Sequence, residues 1–343
     1  MLNLISDFVK DYLPKHRASP SGWTSFNCPC CIYNGESHDT KGRGGIHFNV
    51  DGSFSFHCFN CKFKTNYQPG RHLNFKTRKL LQWLGVNDGD IQRMVIEAIR
   101  IKDLVDPTTI VEKIDEKIEF KKRALPENAQ SIQAMITFLE LCDYDMLDQQ
   151  VADAILYLDA RKIDFEHKYD FYLSEDTAHK LDKRIIIPCY WENELIGYTS
   201  RAIVDDVKPK YYSNYEPNYV FNTDMQRVES KIVIVCEGPF DAMSIDGVAI
   251  LGNAVSEQQA DIIDGLGKEV IVVADTDAAG AKLIDAAINY GWSVSFPIWQ
   301  ETCKDINDAV MQYGKLFVVA TIIDATVRNK FKIELLKRTY YKR

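Results

Sequence analysis

The sequence predicts a multidomain fold with α+β and α/β parts, in which a small N-terminal cysteine-containing module precedes a core with a Rossmann-like α/β subdomain. Two observations support this prediction. Two Cys-x-x-Cys pairs occur within residues 28–61, and two short β-branched runs, 231–236 and 270–274, each end in acidic residues. Such runs are typical of buried parallel strands, whose carboxyl ends carry the functional residues of open α/β sheets. A length of 343 residues accommodates two or three domains.

The composition indicates a protein with hydrophobic cores and no membrane segment. Hydrophobic residues make up 46% of the chain, yet no apolar stretch approaches the roughly 18 residues that a membrane helix needs. The first residues lack the charged and apolar regions of a secretory signal. The nine cysteines are an odd number, which argues for reduced thiols rather than a disulfide framework. We therefore expect a cytoplasmic protein with no membrane partner.

The net charge of −8 is unevenly distributed along the chain. Residues 1–80 contain 11 Lys and Arg against 5 Asp and Glu, and residues 326–343 contain 7 against 1. The acidic excess therefore lies between these ends. Basic ends of this kind can attract a polyanion, and an acidic centre can collect metal ions, but solvated surface charge explains the same pattern.

The four paired cysteines predict a structural metal site. Cys28 and Cys31 form one pair and Cys58 and Cys61 the other, with 26 residues between the pairs. Each Cys-x-x-Cys turn presents two thiolates to one ion, and two such turns complete a tetrahedral site for one structural Zn²⁺. The unpaired cysteines are expected to be buried thiols without ligands: Cys142, Cys189, Cys236 and Cys303.

A β-hairpin is predicted between the cysteine pairs. Residues 45–50 and 53–57 alternate apolar and polar side chains around the turn sequence Asp51-Gly52. The module is therefore predicted to be a zinc ribbon. The ligand set stays open, because four nearby residues could replace one of the paired cysteines: Cys30, His38, His47 and His57.

Aromatic side chains alternate along the same hairpin. Phe48, Phe54 and Phe56 lie near basic residues of the module. Rings beside basic residues can stack on the bases of single-stranded nucleic acid, whereas burial in the small core is the alternative. Both roles stay open, with stacking considered for at least one of the three rings.

Domain boundaries follow from composition. Residues 102–130 are rich in charge and interrupted by Pro107 and Pro126, which is typical of a mobile linker, with a transient helix around 112–122. Apolar residues at helical spacing precede the linker at 91–100 and follow it from 131 to about 158. The predicted parts are a zinc-binding ribbon domain (1–101), the linker (102–130), and a core (131–343) with a basic N-terminal subdomain (131–229), an α/β subdomain (230–315) and a basic C-terminal tail (316–343).

Acidic residues follow three predicted strands of the α/β subdomain. They are Glu237 and Asp241 after the first run, Asp275 and Asp277 after the second, and Asp305 and Asp308 beyond a strand predicted at 293–299. Carboxylates that converge in this way repel one another unless a divalent cation neutralises them. The pattern therefore predicts a magnesium site that handles phosphate groups. The chain has no G-x-x-x-x-G-K-[ST] loop, which argues against an ATP-driven motor domain.

Basic residues lie on and beside a second predicted hairpin. The runs 184–188 and 194–202 are predicted strands joined by a turn at 192–193. Arg184, Arg201 and Lys210 lie at the ends of these strands or just beyond them. Arginine and lysine near an acidic metal centre suit phosphate contacts, although solvated surface charge explains any one of them equally well.

Together these motifs resemble the bacterial-type DNA primases in content and in order. The motifs are the cysteine pairs, the basic strands, and the sequences Glu237-Gly-x-x-Asp, Asp275-x-Asp-x-x-Gly and Lys304-Asp-x-Asn-Asp. The α/β subdomain is similar to the toprim fold that these enzymes share with type IA and type II topoisomerases. In size and in its four-cysteine ribbon the chain is most similar to the primases of T-even-type bacteriophages. The resemblance covers almost the whole chain and is weakest in the linker and in 131–180.

The resemblance implies that residues 131–343 form an RNA polymerase core and assigns roles to individual residues. It implies catalytic acids, which hold two or more Mg²⁺ ions, at Glu237, Asp275, Asp277 and Asp305. It implies further magnesium ligands at Asp241 and Asp308, and nucleotide or template contacts at Arg184, Arg201 and Lys210. Two positions depart from the family pattern: Asn307 stands where cellular primases often have an aspartate, and no lysine follows Val220-Phe221-Asn222.

The implied activity is template-directed synthesis of short RNA primers from ribonucleoside triphosphates for DNA replication, by two-metal nucleotidyl transfer. The implied partners are a single-stranded DNA template, a replicative hexameric helicase on a separate chain and a single-stranded DNA-binding protein, in the host cytoplasm for a phage protein. The alternative is a toprim-family nuclease or a topoisomerase-like strand-cleaving enzyme, although the chain leaves no room for the separate cleavage domain of a topoisomerase. A non-catalytic zinc-ribbon adaptor would leave the acidic strand ends unexplained.

Overall fold

The computed structural model describes residues 2–20, 22–102, 104, 118–142, 148–175, 181–227, 229–276, 278–299 and 303–340. The chain divides into two compact units. The first comprises residues 1–115 and 264–269, and the second comprises residues 116–263 and 270–343. The cysteine pairs belong to the first unit, and the acidic and basic motifs belong to the second.

The first unit is built on an antiparallel sheet with the strand order β1-β2-β3-β4-β5. Its elements are α1 (Leu4–Asp11), β1 (His16–Ala18), β2 (Trp23–Phe26), a 3₁₀ turn (Cys31–Asn34), β3 (Gly44–Phe48), β4 (Phe54–Cys58), β5 (Lys64–Tyr67), α2 (Phe75–Trp83) and α3 (Asp88–Lys102). Helix α2 starts where the side chain of Asn74 accepts a hydrogen bond from the backbone N–H of Thr77 at 2.7 Å, as an N-cap does. The predicted hairpin and the predicted helix near 91–100 are confirmed as β3–β4 and α3.

The phenylalanines of the hairpin belong mainly to the core of the first unit. Phe54 and Phe56 are each 1% exposed, because alternate residues of β4 face the same side of the sheet and that side packs against the helices. This burial excludes a stacking role for these two rings. Phe48 is only partly buried, and the ammonium group of Lys10 lies 5.1 Å from the centre of its ring.

The N-terminal half of the second unit contains a sheet with the strand order β10-β9-β8-β7-β6. Its elements are β6 (Gln130–Ser131), α4 (Ile132–Cys142), α5 (Gln149–Ala160), β7 (Tyr172–Leu173), β8 (Arg184–Trp191), β9 (Glu194–Ala202) and β10 (Tyr211–Asn214). The predicted hairpin is confirmed as β8–β9. Its turn residues Glu192 and Asn193 both have positive φ values of 51° and 62°, as the tight two-residue turns of twisted hairpins require.

The C-terminal part of the chain forms an α/β layer around a sheet with the strand order β12-β11-β13-β14-β15, and all of it except residues 264–269 belongs to the second unit. Its elements are β11 (Ile232–Cys236), α6 (Pro239–Ile245), β12 (Val248–Ala249), α7 (Glu257–Gly265), β13 (Glu269–Val272), α8 (Ala278–Tyr290), β14 (Ser293–Ser295), α9 (Ile306–Tyr313), α10 (Lys315–Asp324), β15 (Thr326–Val327) and α11 (Lys330–Tyr340). The pairs β11–β12 and β13–β14 are parallel, and β15 joins the edge antiparallel to β14. Strand β14 is shorter than the strand predicted at 293–299.

Part of the segment interpreted as a linker packs within the second unit. The ring of Phe120 lies edge-on to Trp191 and Tyr219, with ring centres 5.2 and 5.8 Å apart. The backbone N–H of Arg123 donates to the carbonyl of Leu195 at 3.1 Å. The many charged residues of this stretch favoured the linker interpretation, although its single aromatic residue, Phe120, packs against other rings. No helix occurs over 118–122, and residues 105–117, with the rest of the helix suggested there, lie outside the described residues.

Three of the unpaired cysteines are buried thiols, as predicted. Cys189, Cys236 and Cys303 belong to the hydrophobic core of the second unit. The side chain of Cys142 lies outside the described part of the chain. Among the helices of the described residues, none combines the length and the apolar character that crossing a membrane requires.

Candidate metal centre and acidic site

The structure brings the four paired cysteines together in the first unit. The Sγ atoms of Cys28, Cys31, Cys58 and Cys61 all lie within 4.8 Å of one another. The Sγ atoms of Cys31 and Cys58, one from each pair, are 3.7 Å apart. Four converging thiols at this spacing fit a tetrahedral Zn²⁺. Cys30 is buried but is not part of this group, so a cluster of the four paired cysteines accounts for the site without it.

Local backbone geometry places the two cysteine knuckles side by side. The first knuckle follows β2 and the second begins at the end of β4. The first knuckle can approach β3 because residue 44 is glycine: a Cβ atom there would lie 3.0 Å from the Cβ of Cys28. The second knuckle closes with hydrogen bonds between Cys58 and Phe63 at 2.9 Å and between Lys62 and Cys58 at 3.0 Å.

The acidic site of the second unit begins at the junction of β11 and α6. Glu237 follows β11, and α6 starts with Pro239, a residue suited to the first helical position. Asp241 lies in the first turn of α6 and is only 8% exposed. Gly238 leaves room for it, since a Cβ atom on residue 238 would lie 2.9 Å from Oδ2 of Asp241. The Glu-Gly-x-x-Asp spacing thus directs a carboxyl group inward at the end of a strand.

Two other carboxylates lie near enough to Asp241 for their charges to act on it. Burial and the negative charges of Asp305 and Asp275 raise the pKa of Asp241 from its ordinary value to about 8. A hydrogen bond from the backbone N–H of Asn307 at 3.0 Å and the positive charge of Arg161 oppose this shift. The site therefore concentrates negative charge that a cation could neutralise.

The other predicted acids are positioned by backbone contacts. The N–H of Asp275 donates to Oε1 of Glu237 at 3.2 Å, which links the ends of β11 and β13. Asp305 caps α9 by accepting the N–H of Asp308 at 2.8 Å, and Asp308 accepts the N–H of Lys304 at 3.1 Å. The carboxylates are less tightly grouped than the four thiols. Among the described residues, the four thiols are the group whose ligand atoms lie close enough together to hold one metal ion. Asp277 lies outside those residues.

Two of the predicted basic residues lie beside the acids. Lys210 is exposed, and partial desolvation together with the charge of Arg201 lowers its pKa, while the charges of Asp305 and Asp241 oppose that change. The Arg201 guanidinium donates to the hydroxyl of Tyr211 at 2.9 Å. It also lies 4.9 Å from the ring centre of Tyr211 and 5.8 Å from that of Phe240. Its Nε is buried without a hydrogen-bond partner in the described structure.

Arg184 has a different environment from the other predicted cations. Its side chain is fully buried, with 0% exposure. The guanidinium donates to the backbone carbonyl of Pro209 and, at 3.3 Å, to that of Lys210. In this structure Arg184 therefore holds the backbone of the segment that carries Lys210.

Arg161, which follows α5, is a candidate functional residue that no sequence pattern indicated. Its guanidinium donates to Oδ1 of Asn307 at 2.6 Å and lies over the rings of Tyr157 and Phe240, 4.9 and 5.3 Å from their centres. Asn307 is itself fully buried and donates to Ser244 Oγ at 2.7 Å. The buried Asn307 side chain thus orients Arg161. Arg161 and Asn307 are 146 positions apart in the sequence, so no local pattern predicts that they form a pair.

Comparison with protein families identifies a Toprim-like sequence at residues 234–310. The DNA primase of Aquifex aeolicus is 26% identical over 152 residues, which are 39% of this chain and 30% of that protein. The DNA primase of Campylobacter jejuni is 30% identical over 115 residues, which are 29% of this chain and 19% of that protein. The chain thus spans less than a third of the length of these relatives.

Solved primase structures are similar to the fold at low sequence identity. The zinc-binding and RNA polymerase domains of the Aquifex aeolicus primase cover 94% of this chain and 83% of that one, with 18% identity and a TM-score of 0.42. A DnaG primase catalytic domain bound to single-stranded DNA covers 60% of this chain and 82% of that one, with 17% identity and a TM-score of 0.44. Within this chain, the Toprim-like sequence at 234–310 is the stretch that contains Glu237, Asp241, Asp275 and Asp305.

Proposed function

We propose that this chain is a DNA primase that synthesises short RNA primers on single-stranded DNA. The observation that carries the proposal is the buried Asp241, which is close enough to Asp275 and Asp305 and to the cations Lys210 and Arg161 for their charges to interact, while Arg201 lies over the ring of the adjacent Phe240. Acids beside cations are the arrangement that metal-assisted phosphoryl transfer needs, since one set holds metal ions and the other holds phosphates. The similarity of parts of the chain to DNA primases supports the same reaction class.

The acids are proposed to hold magnesium at the carboxyl end of the sheet. Bound Mg²⁺ would lower the pKa of a ribonucleotide 3′-hydroxyl and neutralise the leaving pyrophosphate. Glu237, Asp275, Asp277 and Asp305 are the proposed ligands. Asp241 would join them in its ionised form, and Asp308, whose carboxylate accepts the backbone N–H of Lys304, is a further proposed ligand.

The cations are proposed to bind and orient the phosphates. Arg201 is held against two aromatic rings, so its guanidinium presents a fixed fork to a phosphate or to the template backbone. Lys210 is more exposed and supplies a point charge beside it. Arg184 would act on the same contact indirectly, because it fixes the backbone of Pro209 and Lys210. Arg161 adds a third guanidinium, oriented by Asn307.

The zinc ribbon is proposed to contact template bases with its outer face, which we define as Arg17, Trp23, His57, Phe59 and Lys64. Register places Arg17, His57 and Lys64 in one cross-strand row, on the side opposite the buried phenylalanines. The ring of Phe59 is 68% exposed and lies edge-on to His57 at 4.6 Å. Exposed rings beside cations can stack on unpaired bases and attract their phosphates.

The proposed partners are a single-stranded DNA template, a replicative hexameric helicase on another chain and a single-stranded DNA-binding protein. Ribonucleoside triphosphates are the proposed substrates. In overall size and ribbon type the chain would correspond to the primases of T-even-type phages, acting in the host cytoplasm.

The direct test is ribonucleotide incorporation on circular single-stranded DNA with magnesium. The wild-type chain should form short RNA products, and Asp275→Asn should abolish them while leaving zinc content and single-stranded DNA binding nearly unchanged. Full activity of Asp275→Asn at millimolar magnesium would exclude the proposed metal role. Cleavage of the DNA circle without RNA synthesis would instead favour a toprim-type nuclease.

A further inference from the structure

Three polar side chains connect the two cysteine knuckles, and neither the spacing of the cysteines nor the primase proposal accounts for them. They are Asp39, Arg43 and Asn60, which we call the clasp. Asp39 and Arg43 lie between the cysteine pairs, and Asn60 lies inside the second knuckle. Their hydrogen bonds form a closed circuit that starts and ends at the first knuckle.

The circuit begins with the carboxylate of Asp39, whose side chain is fully buried. Its Oδ2 accepts the backbone N–H of Cys28 at 2.9 Å and that of Arg43 at 2.7 Å. Its Oδ1 accepts the backbone N–H of Lys41 at 3.0 Å and the Nε–H of Arg43 at 3.0 Å. A buried carboxylate with this many donors fixes both the first knuckle and the Arg43 side chain.

Arg43 connects the carboxylate of Asp39 to the second knuckle through further hydrogen bonds. Its Nη1 donates to Oδ1 of Asn60 at 2.6 Å, while its own carbonyl accepts the backbone N–H of Phe59 at 3.0 Å. Because Oδ1 of Asn60 is occupied by a donor, the amide nitrogen of Asn60 is oriented the other way. That nitrogen donates to Sγ of Cys31 at 3.4 Å, which returns the circuit to the first knuckle.

We propose that this clasp is a positioning network for zinc, in which Asn60 donates to a zinc-binding thiolate and Arg43 and Asp39 fix its orientation. Four thiolates around one Zn²⁺ leave excess negative charge, and an N–H donor to a sulfur disperses part of it. The clasp also holds the two knuckles at the spacing that the ion requires. The inference rests on the zinc assignment alone and does not depend on primer synthesis.

The test is the rate at which the purified full-length protein transfers zinc to an excess of a chromogenic chelator. Asn60→Asp keeps an acceptor for Arg43 but loses the N–H donor, and Asn60→Ala loses both, so both should release zinc roughly 10-fold faster or more. Arg43→Lys keeps the charge but cannot contact Asp39 and Asn60 with one planar fork, so it should also accelerate release. Lys41→Ala removes one nearby positive charge, leaves the backbone contact to Asp39, and should release zinc at the wild-type rate.

Two spectroscopic measurements on the same variants complete the test. Circular dichroism of the zinc-loaded variants should match the wild type, and the thiolate-to-metal charge-transfer band of cobalt-loaded Asn60→Asp should shift. Wild-type release rates in the Asn60 and Arg43 variants would refute the clasp. If Lys41→Ala releases zinc as fast as Arg43→Lys does, the acceleration results from the loss of positive charge near the site rather than from the hydrogen bonds, and the clasp is refuted as well. Absence of zinc from the wild-type protein would refute the zinc assignment itself, which is a separate result.

Discussion

At the scale of single residues, the acidic site of the second unit depends on one buried carboxyl group among like charges. Asp241 is 8% exposed and has Asp275 and Asp305 as charged neighbours, so its pKa rises to about 8. Without metal, the protonated form therefore predominates at neutral pH. Bound cations would favour the ionised form, so proton release and metal binding are expected to be coupled at this residue.

The first prediction concerns metal-free stability. Because folding raises the pKa of Asp241, its favourable contribution is complete below the unfolded pKa of about 4 and is lost as the pH rises through 8. Asp241→Asn cannot ionise, so in the presence of EDTA its free energy of unfolding should exceed that of the wild type by ~2–4 kcal/mol at pH 9, and by less at pH 5. Urea denaturation at several pH values measures this. The exposed Asp205→Asn serves as control, and a difference independent of pH would contradict the assignment.

The second prediction concerns Arg161, which is oriented by Asn307 and two aromatic rings. If this guanidinium binds substrate phosphates, Arg161→Ala should raise the KM for ribonucleotides roughly 10-fold, a loss of about 1.4 kcal/mol, with a smaller change in kcat. Arg161→Lys should recover only part of the affinity, because a point charge does not reproduce the fork. Arg93→Ala, on the exposed face of α3, is the control. A fall in kcat at constant KM would point instead to support of the acidic site.

At the scale of secondary-structure elements, side chains alternate between the two sides of the sheet in the first unit, and the two sides have different roles. In β4 the residues Phe54, Phe56 and Cys58 are buried, while Ser55 and His57 face the other side. The buried side supplies the core and ends in a cysteine knuckle. The opposite side is the outer face that we propose for template bases.

The third prediction tests that face. Phe59→Ala should weaken binding of single-stranded DNA by roughly 5-fold or more, since one stacked base contributes about 1–3 kcal/mol. The control is Phe331→Ala, which truncates another exposed phenylalanine, 77% exposed on α11. Fluorescence anisotropy with a labelled oligonucleotide at fixed salt measures the effect. Equal behaviour of the two variants would remove Phe59 from the interface.

The fourth prediction tests which thiols bind zinc. Cys30 is buried beside the cluster without being part of it, so Cys30→Ser should retain one zinc ion per chain. Cys58→Ser should lose zinc and unfold the ribbon, because a module of this size has a small core without its metal. Zinc content of the purified variants measures both. Loss of zinc in Cys30→Ser with retention in Cys58→Ser would require a different ligand set.

At the scale of the whole molecule, the chain consists of two compact units with separate hydrophobic cores. The core of the first unit includes the cysteines of the zinc cluster, whereas the core of the second is formed by its sheets and helices without them. The stability of the first unit should therefore depend on zinc, and that of the second should not.

The fifth prediction follows from this division. Calorimetry of the zinc-loaded chain should show that a chelator lowers the transition temperature of the first unit, by 10 °C or more as an order of magnitude, and leaves the second transition nearly unchanged. Tryptophan fluorescence assigns the transitions when measured on variants that keep the tryptophans of one unit only, Trp23 and Trp83 in the first or Trp191, Trp292 and Trp299 in the second. A single transition that shifts as a whole would show that the units unfold together.

The sequence by itself determined the features that depend on local pattern. Cysteine spacing, strand alternation and turn residues predicted the ribbon, the β8–β9 hairpin and the strands that precede Glu237 and Asp275, because these signals are short-range. The same local patterns overestimated the length of β14. They also did not predict that Phe120, within the stretch 102–130 interpreted as a linker, packs against Trp191, because that contact depends on residues far along the chain.

Only the tertiary structure decided which side chains are buried and which distant residues meet. It placed Phe54 and Phe56 in the core, put Arg184 beneath the backbone of Lys210, and joined Arg161 to Asn307 across 146 residues. It also revealed the clasp of Asp39, Arg43 and Asn60, whose residues have no distinctive spacing. The physical reason is that burial, pKa and hydrogen bonding depend on neighbours in space, and sequence periodicity reports only neighbours along the chain.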